Sequence, residues 1–201
     1  VVVHADADRG GGGVTREDDL EPVVERVVVD GHRERRACNG AIGRGGGTGA
    51  TSTCDGIDGV DTYMSNVGVM PAEVVETNYR VRILRNEFVS GSQGLGEFNG
   101  GMGIRREDQI LDHDQRATFY GEQTNGDFAP CGAAGGGHAH STTVTVISPD
   151  GARRVVNDKT STTLAAGTVV LVETAGGGGF GPVERRDPVL AARDRREGRL
   201  A

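Results

Sequence analysis

Val169-Val170-Leu171-Val172-Glu173-Thr174-Ala175-Gly176-Gly177-Gly178-Gly179-Phe180-Gly181 is the stretch on which the fold of this 201-residue chain turns. Four successive branched apolar residues read as a short buried strand. Glycine tolerates positive φ and lets other backbone come close, so Gly176, Gly177, Gly178, Gly179 and Gly181 are expected to end that strand in a tight turn without side chains. Beyond the run, Asp187 is a natural N-cap and Pro188 suits the first helical position. Arg193, Arg195 and Arg196 fall near the negative end of the helix dipole, and Gly198 can stop the helix. The end of the chain is thus predicted as strand, glycine turn and short helix.

Working outward, other short strands are expected at residues 104–111, 117–120, 142–147, 155–156 and 169–172, separated by Gly, Asp, Asn and Pro. Tyr79, Val81 and Ile83 alternate with Arg80 and Arg82, the two-residue period of a half-buried strand. Leu84 and Arg85 reverse that phase, which predicts a bulge before Phe88. Residues 71–78 read as a short helical turn with Glu73 and Glu76 exposed, and residues 23–29 as a strand before an Asp30-Gly31 turn. The fold class that follows is mainly β (α+β), a short-stranded sandwich or barrel-like sheet with a short C-terminal helix. Residues 1–50 are taken as a glycine-rich lead-in, with low-complexity loops at 10–13 and 44–49, and residues 51–201 as one domain.

Composition narrows the function classes. Glycine supplies 34 residues and aromatics 4%, with no Trp, so the core must be built from Val, Leu, Ile and Ala. The formal charge is −7 and no basic stripe runs beside aromatics, which argues against nucleic-acid binding. Lys159 is the only lysine among 22 basic residues, which fits a GC-rich coding bias or a high-salt cytoplasm. Cys38, Cys54 and Cys131 are odd in number and widely spaced, which indicates neither a disulfide framework nor a zinc ribbon. No stretch reads as a signal peptide or is apolar enough to span a bilayer, so a cytoplasmic location is expected.

Three ordered motifs carry a resemblance. The first is Asp55-Gly56-Ile57-Asp58-Gly59-Val60, leading through Met64-Ser65-Asn66 to Met70-Pro71-Ala72-Glu73-Val74 and Tyr79-Arg80-Val81. The second is Gly94-Leu95-Gly96-Glu97-Phe98-Asn99-Gly100-Gly101-Met102-Gly103-Ile104-Arg105-Arg106-Glu107. The third is the glycine run followed by Glu184-Arg185-Arg186-Asp187-Pro188, Asp194 and Arg196-Glu197-Gly198. Together they resemble the C-terminal part of the hydantoinase B family, which includes parts of 5-oxoprolinases and N-methylhydantoinases and, more distantly, acetone carboxylase subunits. The chain opens at Val1 and members of that family are much longer, so it is expected to be the C-terminal portion of a larger subunit or the product of a truncated frame.

The resemblance implies ATP-dependent opening of a cyclic amide, a hydantoin or 5-oxoproline, in a cytoplasmic hetero-oligomer with a hydantoinase A-type partner. It implies that the partner handles ATP and Mg2+, and that a divalent metal, where one is used, belongs to the N-terminal half of the subunit. Two other readings stay open: a subunit of a biotin-independent ketone carboxylase, and a non-catalytic structural or assembly fragment. The family segment at residues 61–66 often carries histidines where this chain has Asp61 and Tyr63, and the arginine-rich segment of relatives is absent at residues 121–124.

Several residues are candidates for chemistry. Asn66 both donates and accepts hydrogen bonds and is the candidate pocket residue of its segment. Arg105 or Arg106 could grip a substrate carboxylate through a planar guanidinium, or could form an ordinary salt bridge. His138 and His140 are two apart, so on an extended segment they share a face and could share a metal, with Cys131 or Asp127 nearby; a solvated loop is the alternative. Asp112-His113-Asp114 reads as a solvated turn rather than an acid–base cluster. The run at 176–181 lacks the Gly-Lys-Ser/Thr ending of a phosphate loop, and with Gly100, Gly101 and Gly103 it is read as structural or as a partner interface.

Overall fold

The computed structural model describes residues 45–61 and 70–200, and the backbone of residues 26–29 and 41–43. The strands are β1 (Arg26–Val29), β2 (Ala41–Gly43), β3 (Val81–Phe88), β4 (Ile104–Ile110), β5 (Gln115–Phe119), β6 (Thr143–Ile147), β7 (Arg153–Val155), β8 (Thr160–Leu164) and β9 (Val169–Glu173). Helix α1 (Ala72–Asn78) precedes β3 and α2 (Pro188–Arg196) follows β9. The strands form two open antiparallel sheets, ordered β2-β1-β5-β8 and β3-β4-β9-β6-β7. The mainly β class with a C-terminal helix is what forms, as two sheets and not as a closed barrel.

Side-chain alternation sets which face is buried. Val81, Ile110, Val144, Val146, Val170 and Val172 from the five-stranded sheet meet Ala117, Phe119 and Leu164 from the four-stranded one, with Val75 of α1 joining them. Arg85 pairs with Glu107 where Ile83 pairs with Asp108, so Leu84 is the extra residue of the bulge that the reversed phase predicts. Glu73 and Glu76 lie on the exposed side of α1. Helix α2 starts where its sequence signals it: the Asp187 carboxylate accepts from Val189 N, Pro188 is the first residue, and Gly198 has a φ of 63°. Strand β8 was absent from the expected elements because Thr-Ser-Thr-Thr-Leu offers one large apolar residue; its β-branched threonines are stabilised by pairing with β5.

The glycine run departs from the expected turn. Residues 174–179 are extended and buried, and only Gly181 among the run's glycines has a positive φ, 73°. Successive groups of this segment bond to different neighbours. Gly47 N donates to Ala175 O, Gly177 N to Gly101 O, Gly94 N to Gly177 O, Ala50 N to Gly178 O, and Gly179 N to Gly137 O, all at 2.8–3.0 Å. A sheet strand bonds two flanking strands; this segment is surrounded by residues 47–50, 94–101 and 133–137. The requirement for glycine is therefore close approach and not left-handed φ. A Cβ on Gly177 would overlap the Thr48 carbonyl, and one on Gly100 would overlap the Gly177 carbonyl. Residues 45–50, which composition marks as a loop, are part of this bundle through the Gly46–Val60 bridge and the Thr48 N to Ile57 O bond.

Gly126 provides the matching control, because a Cβ there meets nothing within 4 Å. We expect Gly177→Ala to lower stability by about 3 kcal/mol or more, as overpacking against immobile backbone does, while Gly126→Ala stays within about 0.5 kcal/mol. Urea unfolding of both variants checks this; equal midpoints would show that the bundle tolerates side chains.

Candidate functional site

Two polar assemblies are built on this frame. The first is buried and joins all three sequence motifs. Arg186 donates to both oxygens of Asp55 at 2.9 and 3.0 Å and to Asp194 at 2.7 Å, and Arg193 adds a 2.7 Å bond to Asp55. Asn99 closes the ring, its Nδ2 donating to Asp194 and its backbone N to Asp55. Beside it, Arg199 grips Asp58 bidentately at 2.6 and 2.7 Å, and Asp58 also accepts from Met102 N. Side-chain exposure is 6% for Arg186 and 1% for Asp194, so these charges depend on one another. Burial pushes the Asp55 carboxyl up, but the Arg186 hydrogen bond, the Asn99 amide and the Arg186 and Arg193 charges outweigh it and hold it below its ordinary value.

The second assembly is an open cleft of about 840 Å3 on the face of the five-stranded sheet opposite the core. Its floor is a rung across three strands, in which Arg105 of β4 opposes Glu173 of β9 and Glu173 opposes Thr143 of β6; Glu87 of β3 continues the rung outside the cleft lining. Arg105 donates to Glu173 at 2.8 Å and to Glu87 at 3.2 Å, and Thr143 Oγ1 donates to Glu173 at 3.3 Å. The bond to Glu173 pushes the Arg105 pKa up, so the guanidinium stays charged and is shared by two carboxylates. His138, His140, Cys131 and Asp127 line the walls.

The structure thus brings Arg105, His138 and His140 to one cleft and sends Arg106 elsewhere. Arg106 is on the core face of β4, where its Nε donates to Asp108 at 2.8 Å; their side chains are 3% and 2% exposed. Its Nη2 is buried with no partner among the described residues. His138 and His140 are exposed on either side of buried Ala139, as their spacing predicts. Among the described residues no group of three or more His, Cys, Asp or Glu is placed to hold a metal ion. Asn66 lies outside the described residues. The segment Asp112-His113-Asp114 is the connection from β4 to β5, with Asp112 bonded by Arg80 and by His113 Nδ1.

Gly176, Gly177, Gly178 and Gly179 are the centre of the bundle, with Gly100, Gly101 and Gly103 packed against it. The amides of Gly177, Gly179, Phe180 and Gly181 donate to backbone carbonyls, so these four do not serve as a phosphate cradle. Sequence reading passed over Asp55, Asp58, Asn99, Arg186, Asp194 and Arg199 as site residues. Their signal was present, since each sits inside or directly beside a quoted motif, but nothing in the order along the chain says which carboxylate meets which guanidinium.

The family model for hydantoinase B/oxoprolinase matches residues 21–183. The chain belongs to the hydantoinase B/oxoprolinase family. A 5-oxoprolinase of Dictyostelium discoideum is 38% identical over 66 residues, covering 33% of this chain and 5% of that protein. An uncharacterized protein of Schizosaccharomyces pombe is 30% identical over 110 residues, 55% of this chain and 9% of its own length. The hydantoinase B fold extends to the crystal structure of an ATP-dependent caprolactamase from Pseudomonas jessenii, with a TM-score of 0.74 and 23% identity over 89% of this chain and 32% of that one. It extends also to the nucleotide-free structure of acetone carboxylase, with a TM-score of 0.70 and 19% identity over 88% and 28% of the two chains. This chain therefore spans about a third or less of these relatives. No helix of the described residues is long and apolar enough to cross a membrane.

Because the folded-state pKa of Asp55 is depressed, its stabilising contribution is complete above the ordinary carboxylate value of about 3.9 and is lost as the pH falls through the lower folded value. We expect the urea midpoint to drop as the pH falls below about 4, with Asp55→Asn showing a smaller drop from a lower starting point. Arg186→Met, which removes the guanidinium that Asp55 and Asp194 share, should cost about 3–5 kcal/mol at pH 7; an unchanged midpoint would remove the ring from the account of stability.

Proposed function

We propose that this chain is the C-terminal part of a hydantoinase B-type subunit, with residues 51–201 as its domain. With a hydantoinase A-type partner it takes part in ATP-dependent hydrolytic opening of a cyclic amide such as a hydantoin or 5-oxoproline, in a cytoplasmic hetero-oligomer. The observation that carries this reading is the family match across residues 21–183, supported by the meeting of all three family-like motifs in the glycine bundle and its ion-pair ring.

ATP and Mg2+ enter through the partner in this reading. The residues here support that division, because four amides of the glycine run donate to backbone carbonyls and the sole lysine, Lys159, pairs with Glu122. When bound, ATP supplies a phosphoryl group that activates the ring amide, and this chain's share is to bind and orient. Arg105 is already balanced by Glu87 and Glu173, so the outer-face cleft suits a neutral ring amide such as a hydantoin better than the carboxylate of 5-oxoproline. Arg106 acts as a positioning residue for β4 through Asp108, and Asn66 is the proposed contact from its own segment.

A second reading, a ketone carboxylase subunit, is favoured by the likeness to acetone carboxylase. One assay separates the two. The full reading frame containing these residues is co-expressed with a hydantoinase A-type protein, and ADP release is followed with hydantoin, 5-oxoproline, or acetone with bicarbonate. ADP formed together with ring-opened product is the expected result. ADP formed only with ketone and bicarbonate moves the chain to the carboxylase branch. A stable complex that turns over neither would leave the structural or assembly role.

A further inference from the structure

We infer that the outer-face cleft holds a site for a divalent late first-row transition ion, chelated by the imidazoles of His138 and His140 and completed by water. It stands independently of the cyclic-amide reading, and it differs from the metal that the family resemblance places in the N-terminal half.

The backbone of the two ligands is held in place. Ala139 N donates to Pro130 O and His140 N donates to Ser92 O, both at 2.9 Å. Ala139 is 6% exposed, so its methyl group anchors the segment while both histidines project outward. Side chains two apart on extended backbone point the same way with Cα atoms about 6.6 Å apart. That spacing lets two ring nitrogens close on one ion at about 2.0–2.1 Å.

The surroundings favour a cation. Glu173 on the floor and Asp127 on the wall outnumber Arg105, which Glu87 also engages from outside the lining. Neither imidazole is engaged by any described hydrogen bond or ion pair, so no protein contact has to break for an ion to bind. Imidazole nitrogen selects Zn2+, Ni2+ or Cu2+ over Mg2+ and Ca2+, whose hard oxygen shells this cleft does not supply. The chelate is limited to two protein ligands because no third donor converges with them among the described residues. Binding should accordingly be reversible.

The test uses the full chain carrying Cys131→Ser, so that the exposed thiol lining the same cleft contributes nothing. Zn2+ is titrated calorimetrically, and Cu2+ binding is followed by electron paramagnetic resonance, whose nitrogen hyperfine pattern counts imidazole ligands. We expect one ion per chain with two equivalent nitrogens, and at least a tenfold loss of affinity in His138→Ala and in His140→Ala. His113→Ala, distant from the cleft, should leave binding unchanged. Both histidines are exposed, so circular dichroism should report the same fold in each variant. Undiminished affinity in His138→Ala or His140→Ala, or no binding at all, would overturn the site.

Discussion

Backbone meeting backbone without intervening side chains is the constraint on which this structure depends. Residues 175–180 run through a space whose walls are other main chains, and their carbonyls and amides are shared among at least three neighbouring segments. In a sheet, a strand has side chains above and below and hydrogen bonds only to its left and right. Here the bonds point in successive directions around the segment, which the empty Cβ positions of Gly176, Gly177, Gly178 and Gly179 permit. The same economy that permits the packing makes it intolerant, because the atom a side chain would strike is a carbonyl that is itself hydrogen-bonded.

That arrangement orders the rest of the molecule. The sandwich core is built of Val, Ile, Leu and one central Phe119 and would not by itself determine how the glycine segments are threaded. The Asp55–Arg186–Asp194 ring and the Asp58–Arg199 pair do so by tying residues 55–58, 94–103 and 186–199 at one end of the bundle. Buried charges of this kind gain little net energy over apolar packing, yet mispairing them leaves a charge without a partner, so they discriminate strongly between registers. The hydrophobic sandwich supplies most of the driving force, and the ionic ring selects one threading.

The outer-face cleft is a by-product of the same geometry. Strands β4, β9 and β6 place Arg105, Glu173 and Thr143 in one rung because their register is set by the core residues on the opposite face. The bundle then presents residues 138–140 along the wall, through the bond from His140 to Ser92. Neighbours in sequence are separated by this arrangement: Arg105 faces the cleft and Arg106 the core, a difference of one residue on a strand.

Local chemistry in the chain determined a good deal. Asp187, Pro188 and Gly198 bounded α2 because caps act through the nearest few peptide groups, and the bulge at Leu84 was visible in the reversed alternation. The shared face of His138 and His140 followed from a spacing of two. What only the tertiary structure decided was the use of the glycines and of the charges. A run of glycines is compatible with a turn, a loop or a buried extended segment, because the residue restricts nothing by itself. Which of these forms depends on the backbones that come to lie beside it, from segments as far away as residue 47. In the same way, Asp55, Arg186 and Asp194 are ordinary surface residue types until three distant segments are brought together, and only then does burial make each the necessary partner of the others.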